Sequence, residues 1–134
     1  MPEKDPDHWL YRLTPPEWLA AADNELAAAR RAFLGKQQRP AVAHARRAAG
    51  MALNALLWHQ PDPAYGRSYM EHLHALSQDA VLSDELRAAA NRLVKLPMSQ
   101  ELVTLGPKGD PSQIAPAESI IEYVRAALNP TGHA

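Results

Sequence analysis

At 134 residues, with no cysteine and a formal net charge of −1, the chain excludes several classes at once. Its size suits one domain around one core, and it can carry neither a disulfide framework nor a thiolate metal site. No apolar run reaches the roughly 18 residues that cross a bilayer, and the acidic start lacks a basic segment leading into an apolar one; the expectation is a cytoplasmic protein with no membrane span.

Residues 1–13 read as a polar N-terminal arm, anchored by Trp9, Leu10 and Leu13. Thr14-Pro15-Pro16-Glu17 is a strong helix start. The Thr14 hydroxyl can accept from the Glu17 N–H while the Glu17 carboxylate reaches back to the Thr14 N–H, and proline at the first helical position loses no hydrogen bond. The first helix is expected to run to about Leu34, with Trp18, Ala22, Leu26, Ala29 and Phe33 on one face and Gly35 ending it.

The second helix is predicted from Pro40 to about His59, antiparallel to the first across a short turn. Val42, Ala45, Ala49, Leu53, Leu56 and Leu57 fall at spacings of three and four, and Gly50 among alanines marks a close helix contact rather than a break. Pro61-Asp62-Pro63 stops it. A third segment spans about Gly66 to Gln78, with Tyr69, Met70, Leu73 and Leu76 apolar. A fourth starts at Ser83, a good N-cap followed by Asp84 and Glu85, and runs toward Leu96. A long loop covers 97–113, with a short extended piece conceivable at Val103–Leu105. The fifth helix starts near Pro116, carries Ile120, Ile121, Val124 and Leu128, and ends at Asn129-Pro130. The fold class is therefore all-α, an up-and-down bundle of four to five helices over residues 14–129, between the arm and a tail at 130–134. Alanine nearly all round the second helix suggests that it buries more than one face, and a two-fold homodimer is expected.

Charge is segregated. Residues 26–61 hold Arg30, Arg31, Lys36, Arg39, Arg46 and Arg47 with no acid. Such a block either attracts a polyanion or decorates solvated helix ends, where Arg30 and Arg31 also complement the dipole of the first helix.

The order of these features resembles the HEPN superfamily of small helical bundles. The residues that carry the resemblance are Trp18-Leu19-Ala20-Ala21-Ala22-Asp23 in the first helix and the alanine-rich run Ala48 to Leu57, ending Asn54-Ala55-Leu56-Leu57. After a proline-containing loop come His72-Leu73, and the last helix holds Ala117, Ile120, Ile121 and Val124. The resemblance implies one of two fates: a binding module or a partner of a nucleotidyltransferase or toxin–antitoxin type, or a metal-independent ribonuclease with an Arg, four to six residues, then a His. Arg67 and His72 have that spacing and are the candidate catalytic pair. The imidazole would move the 2′-hydroxyl proton and the guanidinium would stabilise phosphorane charge. In catalytic members a Tyr often follows the histidine by two; here the position is His74.

The candidate binding residues are Arg39, Arg46 and Arg47 for phosphate and Trp58, Tyr69 and His74 for a base. The histidines have no ligand spacing: His72 and His74 diverge on a helix and His44 and His59 lie about four turns apart. No metal and no cofactor are expected. The leading reading is a helical binding module for RNA or a nucleotide-like ligand; the alternatives are a toxin-type endoribonuclease and a purely structural dimeric partner.

Overall fold

The structure, a computed structural model, describes residues 12–95 and 114–128. The arm before residue 12, the loop 96–113 with its Val103–Leu105 segment, and the tail from residue 129 lie outside the described residues. Within them the chain is all-helical: α1 (Pro15–Leu34), α2 (Gln38–His59), a short 3-10 turn (Pro63–Tyr65), α3 (Tyr69–Gln78), α4 (Asp84–Lys95) and α5 (Ala115–Leu128). None of these helices is long and apolar enough to cross a membrane.

α1 begins as its sequence dictates. Glu17 N–H donates to Thr14 Oγ1 and Thr14 N–H donates to Glu17 Oε1, closing the capping box. Its end falls at Leu34 with Gly35 as the cap, as expected. Gly35 has φ −82, and the left-handed residue is Lys36 with φ 61. Lys36 N–H donates to Phe33 O and Gln37 N–H to Ala32 O, which is the paired bonding of a Schellman end with Lys36 in the place glycine usually takes. The chain reverses in three residues, and α2 starts two residues earlier than expected. Pro40 thus falls inside the first turn, where no intrahelical donor is needed.

α2 is the central helix and touches α1, α3, α4 and α5. Ala41, Val42, Ala45, Ala48, Ala49, Ala52, Leu53, Ala55 and Leu57 are all buried by this one chain. The alanines that suggested a second face therefore serve as close contacts for four neighbours within the chain. Gly50 is the closest of these contacts. A Cβ placed there would sit 2.3 Å from Tyr69 Cδ1, so the missing side chain is the seat of the Tyr69 ring.

α3 starts at Tyr69 rather than Gly66. Ser68 caps it: Glu71 N–H donates to Ser68 Oγ, and the Glu71 carboxylate accepts from the Ser68 and Arg67 N–H groups. Gly66 at φ 67 makes the bend before it. α4 starts where expected, with Leu86 N–H donating to Ser83 Oγ. Its far end is closed by α2, since Arg46 donates to Leu93 O at 2.8 Å and Val94 O at 3.0 Å. α5 lies along α1, joined by the ion pairs Arg30–Glu118 and Arg125–Asp23.

Candidate functional site

Arg67 and His72 are not brought together at a surface. Arg67 is exposed in the bend before α3, while the His72 side chain is 0% exposed. His72 Nδ1 donates to Tyr65 O at 2.6 Å, and the Asn54 side-chain amide meets Nε2 at 2.8 Å. Burial holds the imidazole below its ordinary pKa, against the opposing pull of the Tyr65 carbonyl and Glu71. A neutral ring with its proton on Nδ1 offers a lone pair at Nε2, so the Asn54 amide must turn its NH2 toward it. That orientation also employs Asn54 Nδ2, which otherwise lies buried without a partner. Both ring nitrogens are thus committed to the fold, and His72 as placed cannot reach a substrate proton. It ties α3 to α2 and to the 3-10 turn, whose Tyr65 hydroxyl donates in turn to Asp79 Oδ2 at 2.9 Å.

Half of the basic block is also spent on partners within the chain. Arg30 pairs with Glu118, Arg46 closes α4, and Arg47 pairs with Glu25. Arg31, Lys36 and Arg39 remain exposed at the α1–α2 corner. Of the proposed base-stacking groups, Trp58 packs against the core with its ring edge-on to His59, and His74 is exposed on α3.

Two of the sequence-derived binding residues do meet. Arg47 from α2 and Tyr69 from α3 converge on a partly open face, together with Glu25 from α1 and His44 from α2. Tyr69 is half-buried on Gly50, and its hydroxyl is held above its ordinary pKa by burial and by the Glu25 charge, with Arg47 opposing. Glu25 Oε2 lies 2.5 Å from His44 Nδ1 and 3.4 Å from Arg47 Nε. The carboxylate only accepts, so Nδ1 carries the proton and donates to Glu25. It cannot then accept from Arg47 Nη2, which is 2.9 Å away; the Glu25 charge, rather than a bond to the imidazole, holds the guanidinium. His44 Nε2 has no partner among the described residues, on a side chain 28% exposed.

The face therefore presents one unpaired imidazole nitrogen (His44 Nε2), one cation (Arg47) and one phenol ring (Tyr69). Glu25 and His44 escaped the sequence reading because they lie 19 residues apart on different helices; the usable signal was that a short antiparallel turn at 35–37 places α1 residues opposite α2 residues. Among the described residues no group of three metal-ligating side chains forms. No protein-family model, no curated protein and no solved structure matches this chain.

Proposed function

We propose that this chain is a HEPN-like helical binding module that takes a nucleotide-bearing ligand, single-stranded RNA above all, on the face formed by His44, Arg47 and Tyr69. The observation that carries the reading is the convergence of these three groups from two helices, with Glu25 orienting two of them. A guanidinium suits a phosphate oxygen. An unpaired imidazole nitrogen suits a ribose hydroxyl or a base N–H. A phenol ring at a surface suits a base. Arg67, exposed two residues before Tyr69, adds a further cation. The alternative of cleavage by Arg67 and His72 loses its proton-transfer group, because the imidazole is enclosed and doubly bonded.

Fluorescence anisotropy of a labelled single-stranded RNA tests this. Wild type should bind with an affinity that falls as salt rises. Arg47→Ala should remove about one phosphate contact and flatten the logarithmic salt slope by about 0.7. Tyr69→Ala should weaken binding by about 1–3 kcal/mol with the slope kept. Wild-type binding that neither change affects would show that another face is used.

A further inference from the structure

We infer that a second copy of this chain docks on the groove between the start of α4 and the middle of α5, and that the docking element is the α1–α2 corner around Leu34. The groove has a volume of about 570 Å³ and is lined by Val81, Leu82, Leu86 and Tyr123, with Glu85 and Glu122 at its sides. Val81 is 92% exposed in it.

The charges single out this place. Among the described residues every other carboxylate is committed within the fold. Glu17 and Glu71 close capping boxes, and Asp62 caps the 3-10 turn. Asp79 takes the Tyr65 hydroxyl and the Val81 N–H. Asp23, Glu25, Asp84 and Glu118 hold arginines. Glu85 and Glu122 take no hydrogen bond and no ion pair from the described residues, and both flank the apolar floor of this groove. Its occupant should therefore bring an apolar side chain between cations.

The α1–α2 corner has that composition. Leu34 is 75% exposed, and Arg31, Lys36 and Arg39 around it are exposed and make no ion pair with the described residues. Leu34 and Val81 are the two most exposed large apolar side chains of the described chain. One stands among unpaired cations and the other beside unpaired carboxylates. α1 and α5 run antiparallel, as the Arg30–Glu118 and Arg125–Asp23 pairs show. Leu34 and Glu122 therefore lie one turn to opposite sides of the Arg30–Glu118 pair, so knob and groove stand at different heights along the bundle. A two-fold axis between those heights would seat each knob in the other copy's groove, forming both contacts at once. The contact is charge-dominated at its edge, so its strength should fall with salt. It is independent of the nucleotide face, since it uses none of His44, Arg47 or Tyr69.

The test is sedimentation equilibrium over a concentration series at low and high salt. Wild type should move from 14.7 kDa toward twice that mass at low salt and return at high salt. The paired changes Glu85→Lys with Glu122→Lys, and separately Arg31→Glu with Lys36→Glu, should each raise the dissociation constant at least about tenfold. All four side chains are exposed or lie in the open groove, and circular dichroism should show both variants folded. Mixing the two variants should restore the pair, because each knob then faces a groove of opposite sign. A wild type that stays at 14.7 kDa overturns the inference, as does association that both reversals leave intact, or loss in both without recovery on mixing. A monomeric wild type that binds a Lys-Leu-Lys peptide in the groove would assign the groove to a foreign basic partner, and would overturn it as well.

Discussion

His72 is the residue whose environment decides most about this protein. Its depressed pKa makes a stability statement with a definite sign. In the unfolded chain the imidazole titrates near 6.5; in the fold it resists protonation. The unfolded state therefore binds more protons below pH 6.5, and stability should fall as pH drops from about 6.5 toward the folded pKa. Glu17 and Glu71, held low by their capping-box hydrogen bonds, contribute a separate loss only below about 4.5. Denaturation midpoints measured from pH 7 to pH 5 should fall for wild type, and His72→Asn should lack that slope. An unchanged wild-type midpoint over this range would show the ring to be open to water. Asn54→Ala should cost about 1–3 kcal/mol by leaving a buried imidazole nitrogen unpaired. Gly50 gives a second test at this scale. Alanine normally favours a helix over glycine by about 1 kcal/mol, yet here its Cβ meets the Tyr69 ring, so Gly50→Ala should destabilise, by about 1–3 kcal/mol. The added change Tyr69→Ala should relieve part of that loss. If the two costs simply add in chemical denaturation, the ring does not rest on Gly50.

At the scale of elements, the helices are ended by side chains that local sequence partly reveals. Thr14→Ala should lower stability by about 1 kcal/mol through loss of the α1 cap. Lys36→Gly should raise it by about 1 kcal/mol, since a lysine at φ 61 pays a steric cost that glycine avoids. Thermal melts of both variants check these signs. Stripes of apolar residues and the Thr14–Glu17 capping box were legible because they depend on residues three and four apart. Gly35 does cap α1 as its sequence suggests, but the left-handed turn at Lys36 was not legible because lysine rarely takes that place, and α3 was started too early because Gly66 and Arg67 looked continuous with it. Arg46 was legible as a cation but not as the cap of α4, because its carbonyl partners lie 47 and 48 residues away. His72 was misleading for the same reason: its spacing from Arg67 is local, while Asn54 and the Tyr65 carbonyl, which enclose it, arrive from other elements.

Across the whole molecule, α2 acts as the axle on which the other helices close, and its charged surface is mostly paired within the chain. Among the described residues, three uncommitted places carry the readings above: the His44–Arg47–Tyr69 face, the Leu34 corner, and the Glu85–Glu122 groove. The nucleotide reading depends on the first alone. The measurement that tests it most directly is an amide and side-chain NMR titration of the isotope-labelled protein with a short single-stranded RNA. The account expects shifts concentrated on His44, Arg47, Gly50 and Tyr69, with His44 Nε2 responding and the His72 ring silent. Shifts confined to Arg31–Arg39, or a His72 ring that responds as strongly as His44, would contradict it.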